Sequence, residues 1–224
     1  SDYETAWSDY ASYIRPFSNY NINKKVRVDA PGQLASKLGL TLIKENDKVR
    51  YIQGPYARYD SLTVEGTLNG EDVAVLRHMM GANAWESEFT DGRLRYLNLW
   101  DASLKADKDN SYNGYGVDEY LEKDNWVGEY MFHNCNALES VVLPKTVTEI
   151  GENTFQDAFG LKRIAIGKNT TKYTRDLLQN LAGIEEVVFL TTTQAKSESS
   201  DPWEAPIMQV YTLPSQLGDY LGDP

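Results

Sequence analysis

The sequence predicts an α/β solenoid: one right-handed superhelix of about five or six short parallel strands, with a cap at each end. The first observation is a repeat of 23 residues, in which the segment from Val127 to Leu143 matches the segment from Ile150 to Ile166. The second is the apolar spacing L-x-x-L-x-L within each unit. A period of about 20 to 29 residues with this core is typical of leucine-rich solenoids, where each unit adds one strand.

Two consecutive units of the repeat match at seven positions. The pairs are Val127 and Ile150, Gly128 and Gly151, Phe132 and Phe155, Cys135 and Ala158, Leu138 and Leu161, Val141 and Ile164, and Leu143 and Ile166. One further step of the same length places apolar residues at equivalent positions, although Thr174 replaces the glycine. These residues are Tyr173, Leu178, Leu181, Ile184, Val187 and Phe189. The repeat therefore weakens toward the C-terminus but continues.

The residues of the first unit, VGEYMFHNCNALESVVLP from 127 to 144, resemble a known repeat. They are similar to the BspA-like leucine-rich repeat of bacterial cell-surface proteins, whose unit reads roughly I-G-x-x-A-F-x-x-C-x-x-L-x-x-I-x-L-P. The second unit matches with Thr154 at the small position and Ala158 at the cysteine position, and the third matches only at its strand. The resemblance implies a non-enzymatic recognition or adhesion domain on the cell surface, often lipid-anchored after export.

Composition narrows the classes of partner. The formal net charge is −11, from 33 acidic and 22 basic residues, and the basic residues form no dense run. Nucleic acids and anionic membrane surfaces are therefore not predicted partners. No apolar run approaches the ~18 residues of a membrane-spanning helix, and no signal-peptide pattern follows Ser1, so the surface location rests on the resemblance alone. The single cysteine, Cys135, excludes an intrachain disulfide and is expected to be a buried thiol.

The N-terminal part is predicted to contain a leader and a cap. Residues 1–24 carry aromatic side chains three or four apart, which fits either a short helix or a partly ordered leader. In residues 25–60, Val26 and Val28 alternate with charged residues as in a strand. The segment from Ala30 to Gly39 reads as a short helix closed by glycine. The resemblance implies that this strand and helix cap the first repeat.

The repeats are predicted over about residues 61–213. A strand at 61–66 precedes a helix that starts near Gly70, and a second strand follows at 93–99. From Leu99 to Leu143 only one strand is evident where two would fit, so residues 105–126 are predicted to be an inserted loop. The last strand is expected at 208–214, and residues 214–224 are expected to form a C-terminal cap.

Side chains alternate across a strand, so the residues between the core positions are expected to face outward. They form a row of Thr63, Asn98, Val142, Ala165, Val188 and Thr212, flanked by Tyr96, Ser140, Arg163, Glu186 and Val210, with Trp100 and Leu190 at the margin. Such a face can mark a partner site, because solenoids commonly bind along exposed sheets. The resemblance implies that the partner is a protein or a host-matrix component. The alternative is that valine and threonine simply suit strands.

The insertion suggests two further ligands. Aromatic side chains at Tyr112, Tyr115, Tyr120 and Trp126, with Trp100 outside the insertion, favour a glycan-binding module as the alternative function. Asp107, Asp109, Ser111 and Asn113 alternate like calcium ligands. The calcium match fails because Tyr112 stands where glycine is needed and Asp118 where glutamate is needed. No metal or cofactor is therefore predicted.

Catalysis is not predicted from the residues. Only His78 and His133 titrate near neutrality, and His133 is expected at a surface or turn position. The sequence contains no metalloprotease, nucleophile-elbow or phosphate-loop motif. A hydrolase is the least favoured reading because nothing in the spacing of the carboxylates selects a pair.

Overall fold

The computed structural model describes residues 22–45, 48–82, 89–112, 119–167, 169–174, 177, 181 and 183–190. The strands are β1 Ile22–Val28, β2 Thr41–Glu45, β3 Lys48–Gln53, β4 Tyr59–Leu68, β5 Tyr96–Asn98, β6 Ala102–Leu104, β7 Trp126–Val127, β8 Ser140–Val142, β9 Glu149–Ile150, β10 Arg163–Gly167, β11 Lys172–Tyr173 and β12 Glu186–Leu190. The helices are α1 Leu34–Lys37 and α2 Gly70–Met79, with a 3-10 turn at Tyr56–Arg58.

A seven-stranded parallel sheet organises the chain. Its order is β1-β4-β5-β8-β10-β12, and β6 also pairs with β4. The pairing aligns one inward residue from each of five strands: Leu62, Leu97, Val141, Ile164 and Val187. All five side chains are buried in the main core. The predicted strands at 61–66 and 93–99 are confirmed, and β5 pairs directly with β8, as an insertion between them requires.

Backbone hydrogen bonds connect neighbouring strands of this sheet at the residue that precedes β5, β8, β10 and β12. The Arg95 amide donates to the Asp60 carbonyl at 2.9 Å, and the Glu139 amide donates to the Arg95 carbonyl at 2.8 Å. In the same way, the Lys162 amide donates to the Glu139 carbonyl at 2.9 Å, and the Glu185 amide donates to the Lys162 carbonyl at 2.8 Å. Each strand start therefore supplies the backbone acceptor for the next one in the sheet, in the same way at each step.

A second parallel sheet, in the order β11-β9-β7, lies on the turn side of the repeat. Beside it the Phe132 and Phe155 rings stack with their centroids 5.1 Å apart. The backbone has positive φ at two equivalent pairs, Tyr130 with Asn153 and Asn134 with Asp157. Both pairs are separated by 23 residues, so the turn repeats its unusual backbone geometry as well as its apolar side chains.

Helix α2 confirms the predicted helix near Gly70 and is buried on most of its surface. Asn69 and Asp72 form a capping box at its start. The buried Asp72 carboxylate also accepts from the Gly32 amide at 2.7 Å and from the Leu34 amide at 2.9 Å. Burial raises the pKa of Asp72, although these N–H donors oppose the shift. One carboxylate thus holds the start of α1 against the start of α2.

Several elements were not predicted. The antiparallel hairpin β2–β3, strand β6 and the sheet β7-β9-β11 have no counterpart in the sequence reading. Residues 1–21, the strand expected at 208–214 and the cap expected at 214–224 lie outside the described residues. In the part of the chain that the structure describes, no helix is both long and apolar enough to span a membrane.

Candidate recognition surface

The outward row predicted from strand alternation is not open. Val142, Ala165 and Val188 are only 3%, 1% and 0% exposed, and they form an apolar cluster separate from the main core. They pair directly across adjacent strands and are therefore neighbours on one face of the sheet. The half-buried ring of Trp100 packs against them. The expectation that these three residues present an accessible surface was therefore wrong.

The first residues of the strands remain accessible beside this cluster. Tyr96, Ser140, Arg163 and Glu186 pair in sequence across β5, β8, β10 and β12 and so form one line. Tyr96 and Arg163 are exposed, and the Arg163 Nε lies 3.6 Å from the Glu186 Oε2. We call Tyr96, Arg163 and Glu186 the sheet rim. It brings together three of the residues that the sequence singled out.

Asn98 and Trp100 lie at the other end of the same strand. The Asn98 Oδ1 accepts from the Trp100 amide at 2.9 Å. The Asn98 side chain therefore fixes the turn that holds the Trp100 ring against the apolar cluster. Both residues are half-buried. They therefore stabilise the sheet face and offer only part of their side chains to a partner.

Two aromatic residues of the insertion, Tyr112 and Trp126, are buried in the protein. Tyr112 is fully buried and its hydroxyl donates to the Glu129 carbonyl at 2.7 Å. Its ring covers Gly128, where a Cβ atom would lie 2.1 Å from the Tyr112 hydroxyl oxygen. Trp126 is buried as part of β7. The expectation that Tyr112 and Trp126 offer open faces to a glycan was therefore wrong, and Tyr115 lies outside the described residues.

Asp107 connects the insertion to helix α2. Its Oδ2 accepts from the Gly70 amide at 3.1 Å, while its Oδ1 accepts from the amides of Asp109 and Asn110 at 3.0 and 3.1 Å. Oδ1 therefore organises the backbone of this loop, and Oδ2 attaches the loop to the start of α2. Among the described residues no group of three His, Cys, Asp or Glu side chains could hold a metal ion. Asn113 lies outside them.

Arg77 is a buried cation that sequence reasoning missed. Its Nη1 donates to the carbonyl oxygens of Tyr130 at 3.0 Å and Met131 at 2.9 Å. Burial lowers the pKa of the Arg77 guanidinium, which stays charged because its ordinary pKa lies above ~12. Arg77 therefore ties helix α2 to the first repeat turn. Its position among the apolar residues of α2 gave no signal of this role.

The two histidines and the cysteine of the core are uncharged at neutral pH. Both His78 and His133 are buried. His133 lies in a repeat turn, which was one of its two expected positions, and not at the surface, which was the other. Burial lowers the pKa of His78 to about 4 and also lowers that of His133. Cys135 is a buried free thiol, as predicted. Burial raises its pKa to about 11, which makes it a poor nucleophile at neutral pH.

An open pocket of about 430 Å³ lies where the strands begin. Its lining includes Asp60, Arg95, Glu139, Lys162 and the exposed ring of Phe159. Asp60, Arg95, Glu139 and Lys162 also take part in the backbone hydrogen bonds between neighbouring strands, which fix the spacing of these four residues. Arg95 connects the pocket to the sheet rim, because its guanidinium carbon lies 5.1 Å from the centre of the Tyr96 ring. We call this cavity the strand-start pocket.

Comparison with known families agrees with the repeat geometry. Residues 122–200 match the family model described as BspA type leucine rich repeat region (6 copies). No curated protein matches the chain significantly. The matched stretch contains the stacked phenylalanines, the paired left-handed residues and strands β8 and β10. Residues 122–200 therefore match a BspA-type leucine-rich repeat, which confirms the resemblance seen in the sequence of the repeat units.

Proposed function

We propose that this chain is a non-catalytic recognition or adhesion module that binds a protein or host-matrix partner through the sheet rim. The alignment of Tyr96, Arg163 and Glu186 along one line carries the proposal. An exposed aromatic ring beside an ion pair is the kind of chemistry enriched in protein interfaces. Leucine-rich repeat domains generally serve in protein interaction rather than catalysis, and the family match supports the same conclusion.

The architecture that we propose is a single right-handed solenoid. A cap at 25–60 would precede repeats over about 61–213 with an insertion at 105–126, and a second cap would follow at 214–224. The leader was expected to end at residue 24, but β1 begins at Ile22, so the leader that we propose is residues 1–21. The coil-to-coil hydrogen bonds and the parallel sheet support this organisation. A stack of this kind holds its surface residues at fixed spacing, which limits the entropy lost when a partner binds.

We further propose a location on the bacterial cell surface, with a lipid anchor. BspA-type repeat proteins are typically surface-associated, and the family match supports the location. The net charge of −11 is compatible with an exposed, soluble face. Surface proteolysis of intact cells would test the proposal: protease added outside should remove the protein, whereas full protection from the protease would contradict it.

The binding proposal is tested by measuring the affinity of the full chain for an immobilised panel of purified host-matrix proteins. We expect at least one saturable interaction, and we expect Tyr96→Ser with Arg163→Ser to weaken it about tenfold or more. Tyr51→Ser is a matched control, because Tyr51 is also an exposed tyrosine but lies on the β2–β3 hairpin. Equal losses in the two variants would contradict a site at the rim, and a glycan array run in parallel tests the alternative ligand.

A further inference from the structure

The carboxylates of the strand-start pocket are already paired. The two oxygens of Asp60 accept from the Arg95 Nε at 2.6 Å and from the Arg95 Nη2 at 3.1 Å. The Glu139 Oε1 lies 3.5 Å from the Arg95 Nη1, and its Oε2 lies 3.4 Å from the Lys162 Nζ. Every carboxylate oxygen of these two residues therefore faces a cation within the protein.

The cations of the pocket are more accessible than the acids. The Asp60 and Glu139 side chains are 15% and 26% exposed, while those of Arg95 and Lys162 are 41% and 48% exposed. A guanidinium has five N–H donors and an ammonium has three. The contacts of Lys162 with Glu139 use only a small part of its donor capacity. An incoming anion can therefore bind without displacing an internal partner, whereas an incoming cation would have to compete with Arg95 or Lys162.

An apolar group completes the pocket. Phe159 is 63% exposed although its neighbours belong to a tightly packed turn. Its amide donates to the Asn136 Oδ1 at 3.2 Å. The next residue is glycine because a Cβ atom on Gly160 would lie 2.3 Å from the Asn136 carbonyl oxygen. The turn therefore holds an aromatic ring at the border of the cationic site.

We propose that the strand-start pocket binds an acidic segment of a protein partner, with a glutamate or aspartate side chain at Lys162 and Arg95 and a neighbouring apolar side chain against Phe159. The volume of about 430 Å³ suits one or two side chains. A doubly charged phosphate is disfavoured because Asp60 and Glu139 would repel it. With Arg93, the lining carries three cationic side chains against the two carboxylates, and a single carboxylate from a partner balances this difference. The pocket adjoins the sheet rim, but peptide binding there is measurable whether or not the rim binds a protein.

The test uses a fluorescent, acetylated and amidated octapeptide with two glutamates flanking one phenylalanine in a glycine and serine background. Fluorescence anisotropy with the full chain should show binding about tenfold tighter than for the same peptide with glutamines. Lys162→Gln should weaken binding about fivefold or more, and Phe159→Ser should weaken it similarly. Lys162→Arg keeps the positive charge and should retain most of the affinity.

Lys145→Gln is the matched control. The Lys145 side chain is 49% exposed and pairs with Asp101. Lys145 follows the last residues of β8, whereas the strand-start pocket lies where the strands begin. This variant should bind the peptide as the wild type does. Three results would each overturn the proposal. They are an absence of saturable binding of the acidic peptide, equal affinity for a lysine-containing peptide, and equal losses of affinity in Lys162→Gln and Lys145→Gln. Circular dichroism of every variant establishes that the fold is retained, as expected for substitutions at exposed side chains.

Discussion

The repeat turns and the joint between helix α2 and the first repeat are stabilised differently. In the turns, equivalent residues 23 positions apart make equivalent contacts, as in the stack of Phe132 on Phe155. In the joint, single buried polar groups make contacts that occur once, as Arg77 does with the carbonyls of the first turn. The repeat therefore distributes its stabilisation, whereas the joint depends on individual residues. The two regions should respond differently to substitution.

Removing Arg77 should have the largest effect. Arg77→Ala removes the buried donor to the Met131 carbonyl and one of the two donors to the Tyr130 carbonyl, which still accepts from the His133 amide, and it creates a cavity beside them. We expect the free energy of unfolding to fall by about 3–5 kcal/mol. Urea denaturation followed by circular dichroism measures it. Arg163→Ala, at an exposed ion pair, is the control and should cost less than about 1 kcal/mol. Similar losses in both variants would contradict a special role for the joint.

Acid should destabilise the folded chain through His78, which lies next to Arg77 on helix α2 and packs against Tyr56. The unfolded chain takes up a proton near pH 6.5, but the folded chain does so only at about pH 4. Because the folded pKa is the lower one, the unfolded state binds more protons between these values. The contribution of neutral His78 to the free energy of unfolding is fully present above pH 6.5. This contribution falls by about 3 kcal/mol as the pH drops to about 4.

Urea titrations at several pH values provide the measurement for His78. The loss in this pH window should be reduced in His78→Gln, because glutamine does not titrate. Carboxylates that titrate in the same window are present in both proteins and therefore cancel in the comparison. An identical pH dependence in wild type and variant would rule out His78 as the cause.

Substitution of Gly128 tests the contact between the insertion and the repeat. A Cβ atom at this position would overlap the Tyr112 hydroxyl, so Gly128→Ala should destabilise the protein by about 1–3 kcal/mol. Tyr112→Phe removes the overlapping oxygen. In a double-mutant cycle the combined loss should therefore be smaller than the sum of the two single losses by about 1 kcal/mol. Strict additivity would show that the two residues do not share this contact.

The smallest expected effects concern the left-handed turn positions. Asn134 and Asp157 have φ values of 60° and 57°, which alanine adopts less readily than Asn or Asp. Asn134→Ala and Asp157→Ala should each cost about 1 kcal/mol, measured by urea denaturation. Near equality of the two losses is the expectation for equivalent positions of a repeat. A difference larger than about 1 kcal/mol would indicate that the turns are not energetically equivalent.

Much of the sheet could be predicted because its inward positions carry a regular apolar signal. Leu97, Val141 and Ile164 recur at the spacing that their register requires. The burial of Val142 and Ala165 was not predictable in the same way, because alternation assigns a face but not what covers it. Strands that are half polar, as in the β2–β3 hairpin, lack an alternating pattern of sufficient contrast.

The polar interior was also hidden from the sequence. Arg77 and His78 lie on a helix that is buried on most sides, so no polar face identifies them as exceptions. One missed feature did have a signal: Asn134 and Asp157 stand 23 residues apart and belong to the residue types that most readily adopt left-handed backbone. For the candidate site, the sequence identified the rim residues, while the strand-start pocket depends on side-chain pairing between distant coils.

Native-state hydrogen exchange of wild type and Arg77→Ala tests most directly whether the joint makes the repeat and helix α2 one structural unit. In the wild type, the slowest amides of α2 and of β8 and β10 should exchange with the same free energy, because both require global unfolding. In Arg77→Ala, α2 should exchange with a distinctly lower free energy than β8 and β10. Different exchange free energies already in the wild type, or a common free energy in the variant, would contradict this account.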